Sequence, residues 1–339
     1  MRPISLIYQR GTSIRRTVLA LGALLAAAIA SGGASGGSAE TKLTLVAYST
    51  PREAYAKLVP AFAATPAGRD TSFDQSYGAS GEQARAVIAG LKADVVALSL
   101  EPDVTTLVKA GLVGRNWKQD GYEGIVTRSV VVFAVRKGNP KKIRTWADLI
   151  KPGVDIVTPN VQTSGGAKWN VMAAYGAQRK AGKTHAQAVA YLGKFYDHIV
   201  SQDKSAREAL QTFLTGRGDV LLAYENEAIF ANSKGQDVPY VIPKATIKIE
   251  NPIAVTTSSS NKTKARAFLR YLRTVPAQRI FAQNGYRPVV KQAQRGFTFP
   301  VRPNLFSIKY LGGWGKVDKR FFDPNTGIVT KIQKRKGGG

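Results

Sequence analysis

Residues 154–182 read VDIVTPNVQTSGGAKWNVMAAYGAQRKAG, and this stretch predicts a short β-strand, a loop of small residues and then a helix. The same order of strand, short loop and helix recurs along most of the chain after residue 41. Apolar runs at residues 43–49, 93–100 and 129–138 predict further strands, with helical segments between them. Strands that alternate with helices predict an α/β fold, in which helices cover the faces of a parallel or mixed sheet.

Four strand-to-helix junctions share one design, in which Ser, Thr or Gly residues precede the first turn of the helix. They are STP at residues 49–51, GASGEQ at 78–83, TSGGA at 163–167 and KSARE at 204–208. In the second and fourth, Ser80 with Gln83 and Ser205 with Glu208 have the spacing of a capping box. Each junction offers free backbone N–H groups at the positive end of a helix, which favours an anion. Ordinary capping explains any one junction, so the set predicts a binding site only if the four loops meet in space.

The chain is strongly basic, with 49 Lys and Arg against 22 Asp and Glu and a formal net charge of +27. Such a charge attracts anions, nucleic acids and acidic membrane surfaces without specifying any of them. Because the basic residues are scattered along the sequence, we interpret them as a solvated basic surface. The 339 residues are enough for two domains of ordinary size.

Residues 1–39 have the composition of a secretory signal peptide, and cleavage is compatible with Ala30, Ala34 or Ala39. Their apolar run, at residues 17–30, is shorter than the roughly 20 residues that a spanning helix needs, and an uncleaved anchor is the alternative. The chain contains no cysteine, which excludes disulfides, thiolate metal sites and a lipid-modified N-terminal cysteine. We therefore predict a periplasmic protein, retained near the cell by an outer membrane.

Several segments resemble those of the periplasmic sulfate-binding proteins, the solute receptors of sulfate and thiosulfate importers. The matching segments are AYSTPREAY, DQSYGASGEQARAVIAGLKADVVAL, VVFAVRKGNPKKIRTWADLIKPGVDIVTPN, TSGGAKWN, KSAREALQTF, GDVLLAYENEA, ENPIAVT and YRPVV. They extend from about residue 41 to residue 331, and TSGGAKWN with the preceding VTPN is specific. The resemblance implies a type II periplasmic-binding-protein-like fold, in which two α/β lobes are joined by a two-strand hinge and the ligand lies in the cleft between them.

This fold predicts a division of the chain into lobes. We expect lobe 1 to contain residues 41–127 and 256–331, and lobe 2 to contain residues 128–255. The predicted strands SVVVFAVRKG and NPIAVTT would be the hinge crossings. Residues 332–339 are basic and Gly-rich, and we expect a flexible tail there.

The resemblance also implies a site that holds sulfate through uncharged donors alone. The corresponding residues are Ser49, Ser80, Ser164, Gly165, Gly166, Ala206 and Tyr224. Ser80 and Ser164 would donate through their hydroxyl groups, and Ser49, the two glycines and Ala206 through backbone N–H groups. Ser49 replaces an aspartate, and Tyr224 an indole donor, of the better-known enterobacterial pattern. A phenol can accept a hydrogen bond as well as donate one.

Two arginines lie beside these loops, each in the first turn of its helix. The family pattern places Arg52 and Arg207 behind the site, where Arg207 orients a loop without touching the anion. Direct contact with the anion is the alternative for each of them, because arginine is a common partner of oxyanions.

A pocket made of donors favours sulfate over hydrogen phosphate, because the phosphate proton would find no acceptor. Thiosulfate, molybdate, tungstate and phosphate stay open as ligands. The resemblance implies neither a cofactor nor a metal, and it implies the membrane permease of a sulfate ABC importer as the partner. We expect the receptor to be a monomer.

Other classes of function find less support in the sequence. The chain has two histidines, His185 and His198, and no GxSxG, P-loop or paired metal-ligand motif. We therefore predict a binding protein and not an enzyme, and an exported enzyme acting on sulfate or phosphate esters is the alternative. No motif predicts specific nucleic-acid binding, although the charge permits non-specific contact that depends on salt.

Overall fold

The computed structural model describes residues 40–335 and residue 337, so the predicted signal peptide at residues 1–39 lies outside the described residues. Within them the strands are β1 (Thr41–Tyr48), β2 (Thr71–Gly78), β3 (Val95–Ala97), β4 (Ile125–Val135), β5 (Ile156–Pro159), β6 (Ile199–Asp203), β7 (Val220–Tyr224), β8 (Tyr240–Val241), β9 (Ala245–Val255), β10 (Arg287–Pro288) and β11 (Asn304–Phe306). The α-helices are α1 (Arg52–Ala63), α2 (Ser80–Ile88), α3 (Glu101–Lys109), α4 (Gly165–Lys180), α5 (His185–Asp197), α6 (Ala206–Leu214), α7 (Glu225–Ser233), α8 (Lys262–Leu272), α9 (Val275–Gln283), α10 (Trp314–Val317) and α11 (Ile328–Arg335).

The main strands form one mixed sheet in the order β2-β1-β3-β9-β4-β7-β5-β6. In the first strand group, β1 pairs in parallel with β2 and β3, and in the second, β5 pairs in parallel with β6 and β7. Between the groups lie the long strands β4 and β9, which pair with each other antiparallel. The end of β9 pairs with β3 and the end of β4 pairs with β7, so both strands run from one group into the other. The predicted α/β fold with a mixed sheet is confirmed.

Helices cover both faces of each strand group. Successive side chains of a strand point to opposite faces, so neighbours in sequence enter different hydrophobic clusters. Leu45 of β1 is buried among residues of α1, α8 and α9, and Val46 among residues of α2 and α3. Leu222 of β7 shares a cluster with α4 and α5, and Leu221 shares one with α6 and α7. Across residues 40–335, every helix is too short or too polar to cross a membrane.

The C-terminal segment after β10 packs against the second strand group. β11 pairs in parallel with the first residues of β9, and α11 buries Val329 and Ile332 in the cluster that contains α4 and α5. The ring of Trp314 lies 4.7 Å from that of Trp169 in α4. This packing differs from the predicted placement of all of residues 256–331 in lobe 1. The other lobe bounds stay predictions.

The first residues of the predicted flexible tail, 332–335, are helical, and the flexibility of the tail stays a prediction. α11 continues to Arg335, and the Gln333 amide donates a hydrogen bond to Gln202 Oε1 at 3.0 Å. A helix forms here because Val329 and Ile332, one turn apart, have the apolar surface of α5 to cover. Residues 336, 338 and 339 lie outside the described residues.

Candidate ligand-binding site

The four predicted strand-to-helix junctions meet around one small cavity. Its lining consists of Tyr48, Ser49, Thr50, Ala79, Ser80, Ser99, Ser164, Gly165, Gly166, Ala206 and Tyr224. All seven residues that we predicted to bind the ligand are among them, and their contact with a ligand stays a prediction. The cavity is small, with a volume of about 10 Å³, so it suits a compact molecule and not an extended one.

Helix N-termini point several unused backbone donors at this cavity. α2 begins at Ser80, α4 at Gly165 and α6 at Ala206, and α1 begins shortly after Thr50. The first N–H groups of a helix have no intrahelical partner, and the helix dipole is positive at that end. Ser164 is the N-cap of α4, and its side chain makes no capping hydrogen bond, which leaves its hydroxyl free to turn to the cavity. The arrangement favours a negative charge held by several donors.

Gly165 is required by a close approach between two loops. A Cβ atom at this position would lie 1.9 Å from Leu100 Cδ2 and 2.6 Å from Ser99 Oγ. These residues follow β3 in the first strand group, whereas α4 belongs to the second. The absence of a side chain therefore lets the two groups meet at the cavity.

The hydroxyl of Ser80 does not have the role that we predicted. It donates to the Asp103 carboxylate at 2.5 Å and accepts a hydrogen bond from the Ser99 N–H at 2.9 Å. Its proton is therefore engaged, and the backbone N–H of Ser80 is the group left for a ligand. The predicted capping box is also wrong, because Ala79 is the N-cap of α2 and the Gln83 amide donates to Ser76 Oγ. In α6 the expected cap forms, with Ser205 Oγ accepting from the Glu208 N–H at 3.2 Å.

Asp103 lies behind Ser80 and is buried. Burial raises the pKa of its carboxyl group, and the nearby charge of Lys168 and the hydrogen bond from Ser80 offset part of this effect. The Lys168 ammonium itself donates to Asp318 at 2.7 Å. Asp103 does not line the cavity, so it acts as the acceptor that fixes the Ser80 hydroxyl.

Ser99 is a cavity residue that the sequence analysis missed. Its hydroxyl oxygen lies 2.6 Å from the phenol oxygen of Tyr224, and its carbonyl accepts hydrogen bonds from the Trp169 indole at 3.0 Å and the Asn251 amide at 2.9 Å. Its position was visible as a fifth junction, since Pro102 in the sequence SLEPD marks the start of α3 after a predicted strand.

Two tyrosines contribute phenol groups to the cavity. Burial raises the pKa of Tyr224 well above its usual range, so the phenol keeps its proton at neutral pH. The hydroxyl group of Tyr48, also missed by the sequence analysis, is buried near the hydroxyl groups of Tyr286, Thr50 and Thr127.

Arg207 lies behind the cavity and joins the two strand groups. Its guanidinium donates to Glu53 at 2.7 and 2.9 Å, to Glu227 at 2.9 and 3.0 Å, and to the Thr50 carbonyl at 3.2 Å. Partial burial acts to raise the pKa of Glu53, but the hydrogen bonds and charge of Arg207 outweigh it, and the net shift is downward. Burial prevails at Glu227, whose pKa is raised. Arg207 therefore holds the Thr50 loop by its carbonyl.

The second arginine of the prediction, Arg52, is exposed and does not line the cavity. Its guanidinium lies 4.8 Å from the centre of the Tyr77 ring. Further contacts join the two strand groups near the cavity, including a hydrogen bond from the Gly81 N–H to the Thr163 carbonyl at 2.9 Å and the ion pair of Lys204 with Glu82 at 3.1 Å. The loops are thus fixed around an enclosed space.

The chemistry of the lining is that of an uncharged set of donors. None of the cavity residues, all within the described chain, carries a charged side chain. His185 pairs with the Tyr175 hydroxyl and His198 with the Val154 carbonyl, and neither lines the cavity. Residues 40–335 contain no cluster of three His, Cys, Asp or Glu side chains that could hold a metal ion. The cavity can therefore hold a small anion without a counter-charged side chain.

Comparison with known proteins identifies the family of this chain. Residues 43–287 match the family of bacterial extracellular solute-binding proteins. The sulfate-binding protein of Synechococcus elongatus is 43% identical over 316 residues, which is 90% of this chain and 90% of that protein. The thiosulfate-binding protein of Pseudomonas aeruginosa is 35% identical over 317 residues, covering 88% of this chain and 94% of that one.

A solved structure agrees with the fold as well as the sequence. The sulfate-binding protein SubI from Mycobacterium tuberculosis H37Rv is 44% identical, with a TM-score of 0.81, and the match covers 84% of this chain and all of that one. The mixed sheet with its two strand groups is thus a periplasmic-binding-protein fold of type II, as predicted. The chain belongs to the bacterial extracellular solute-binding proteins and, within them, to the sulfate-binding protein family.

Proposed function

We propose that this chain is an extracytoplasmic receptor that captures sulfate in the described cavity and delivers it to an ABC-type importer. The observation that carries the proposal is the enclosed cavity whose lining is uncharged and built on helix N-termini. Sulfate is fully ionised at neutral pH and only accepts hydrogen bonds, so it matches a lining of donors. The relatives named for sulfate binding support the choice of this anion.

The same lining disfavours hydrogen phosphate. Its proton needs an acceptor, and no carboxylate is among the cavity residues of the described chain. An unpaired buried group costs about 1–3 kcal/mol, which corresponds to roughly a ten- to hundredfold preference for sulfate. The hydroxyl groups of the lining can also accept hydrogen bonds, but each has a proton of its own, and those of Ser99 and Tyr224 already share one hydrogen bond.

Isothermal titration calorimetry on the purified chain tests the proposal. Sulfate should bind one-to-one, and hydrogen phosphate should bind at least about tenfold more weakly at the same ionic strength. Equal affinities for the two anions would reject the donor-only account. Titrations with molybdate and tungstate test whether the small cavity excludes larger oxyanions.

Thiosulfate is the second candidate ligand, because the chain is also similar to a thiosulfate-binding protein. One sulfur atom replaces an oxygen in this anion, and sulfur is larger and a weaker hydrogen-bond acceptor. A lining of donors therefore favours sulfate, although the two anions have the same charge. Competition between them in one titration ranks their affinities directly.

Transport by this receptor would use the two crossing strands as a hinge. Opening requires that the contacts between the strand groups break, among them Arg207 with Glu53 and Trp169 with Ser99. Bending of β4 and β9 would then separate the groups, and the permease in the membrane would recognise the closed form. Small-angle X-ray scattering should show a smaller radius of gyration with sulfate than without it. An identical radius in both states contradicts the hinge.

Three further proposals concern location, assembly and chemistry. We propose a periplasmic monomer that is exported by its N-terminal segment and does not catalyse a reaction. Relatives named as binding proteins support a receptor role. Hydrolysis of a sulfate ester by the purified chain would contradict it, and light scattering measures the oligomeric state.

A further inference from the structure

The solvent-facing side of α8 has a charge pattern that ordinary helix chemistry does not explain. Lys262, Arg266 and Arg270 follow one another at intervals of four residues, so they form one stripe, and all three are exposed. Like charges at this spacing repel each other. The first turn of α8 has no acid and holds Lys262 and Lys264, although the positive end of a helix favours negative charge. Local rules that are broken without compensation often mark a functional surface.

The surrounding sequence offers no counter-charge. Residues 251–317 contain 12 Lys and Arg and no Asp or Glu. The ammonium of Lys262 donates to the Ser259 carbonyl at 2.8 Å, and Arg273 pairs with Asp120 at 2.7 Å. Within residues 40–335, Arg266 and Arg270 have no carboxylate partner. The Cβ atoms of residues four apart on a helix lie about 5–6 Å from each other. Arg266 and Arg270 therefore present two guanidinium groups on one side of α8.

The stripe forms one wall of a groove with a volume of about 390 Å³. The opposite wall is the loop that carries Asn116 and Trp117, and the last residues of β9 form the floor. Asp120 is the one acid among the groove residues of the described chain, and Arg273 neutralises it. The groove is open and far larger than the oxyanion cavity, so it admits a ligand longer than a single tetrahedral ion.

The groove is separate from the oxyanion cavity. β3 and β9 are antiparallel, and Val255 pairs with Val95 at the beginning of β3. Ser99, which lines the cavity, comes after the end of β3. The two sites therefore lie at opposite ends of the same strand, and a ligand in the groove does not compete for the cavity.

We propose that this groove is a second anion site and that it binds a condensed phosphate, an extended anion with charges on successive groups. A guanidinium donates two parallel hydrogen bonds to a phosphate group, and two of them one helical turn apart match two such groups along a chain. Lys262 adds a third positive charge at one end of the stripe. Binding would remove the repulsion along α8.

Tripolyphosphate is the probe for this proposal. It should be titrated calorimetrically into the full chain in the presence of saturating sulfate, so that the oxyanion cavity is filled. We expect one-to-one binding, which weakens about tenfold in R266Q/R270Q because charged hydrogen bonds are lost. The matched control K57Q/K183Q removes two exposed charges elsewhere and should bind tripolyphosphate as the unchanged chain does. R266K/R270K keeps the charge but loses the paired guanidinium hydrogen bonds, so its affinity should fall between that of the unchanged chain and that of R266Q/R270Q.

Several results would overturn the proposal. They are the absence of binding, an equal loss in both glutamine variants, and displacement of tripolyphosphate by sulfate. A DNA duplex that binds through the same two arginines while tripolyphosphate does not bind would also overturn it. Sulfate affinity, measured in every variant, reports correct folding and separates this test from that of the proposed function, because it should not change.

Discussion

The phenol oxygen of Tyr224 lies 2.6 Å from the hydroxyl oxygen of Ser99 at the wall of the cavity. Tyr224 ends β7 in the second strand group and Ser99 follows β3 in the first, so one hydrogen bond joins the two sides of the site. The two hydroxyl groups carry two protons, and the hydrogen bond between them uses only one. That proton is available to an anion in the cavity whichever oxygen is the donor.

Replacement of Tyr224 by phenylalanine should weaken sulfate binding about tenfold or more. The change removes one hydroxyl proton, and hydrogen bonds to charged groups contribute about 1.5–3 kcal/mol. Calorimetry measures the affinity. Tyr191→Phe is the control, because its hydroxyl donates to the Trp146 carbonyl away from the cavity and its loss should leave sulfate binding unchanged. An unaltered affinity in Tyr224→Phe would exclude the phenol pair as a donor.

Two serine variants should separate binding from stability. Ser164→Ala removes a hydroxyl that makes no capping bond, and we expect about tenfold weaker sulfate binding with little change in the free energy of unfolding. Ser80→Ala removes the partner of buried Asp103, and we expect a loss of about 1–3 kcal/mol in the free energy of unfolding. Urea denaturation and calorimetry on both variants give the comparison. The reverse pattern would restore the predicted role of the Ser80 hydroxyl as a ligand donor.

Gly165→Ala should oppose closure of the site. The added Cβ would lie 1.9 Å from Leu100 Cδ2, and overpacking of this kind costs about 1–3 kcal/mol, so sulfate affinity should fall about ten- to hundredfold. Scattering should show less compaction by sulfate than in the unchanged chain. Gly193→Ala in α5 is the matched control, because its Cβ would meet no atom within 4 Å. Equal affinities for the two variants would contradict the close approach.

The pairing of Glu53 with Arg207 should make stability depend on acid pH. The pKa of Glu53 is lowered in the folded chain, so the pair stabilises the fold above the pKa of the unfolded chain. This contribution disappears as the pH falls through the lowered value. Glu53→Gln should therefore be less stable than the unchanged chain at neutral pH, and the difference should shrink in acid. Denaturation curves from pH 7 to about pH 3 measure it. A difference that does not vary with pH would mean that the carboxylate charge contributes nothing.

The four junctions and the alternation of strands and helices could be read from the sequence because both are local patterns. The sequence places Ser164, Gly165 and Gly166 at a helix start, and the structure has α4 beginning there. The convergence of the junctions was not a local property. It depends on the antiparallel pairing of β4 with β9, which brings residues more than a hundred positions apart together.

The differences between the sequence predictions and the structure also come from contacts that are not local. The Ser80 hydroxyl was expected to donate to the ligand. It donates instead to the carboxylate of Asp103, which lies in the next helix along the chain. Ser99 was overlooked because its partners Tyr224, Trp169 and Asn251 are all distant in sequence. The apolar side chains of the C-terminal segment pack against α4 and α5, a contact between segments distant in sequence that no local pattern indicates.

The use of backbone N–H groups at the cavity has a consequence for descent. A main-chain donor is unchanged when its own side chain is replaced, so positions such as Ser49 and Ala206 can vary over generations and still offer the N–H group that we propose for the ligand. Selection then acts on the path of the chain and on the few places, such as Gly165, where an added atom would block it. Distant relatives can therefore share the same ion specificity although the amino-acid sequences of these loops differ.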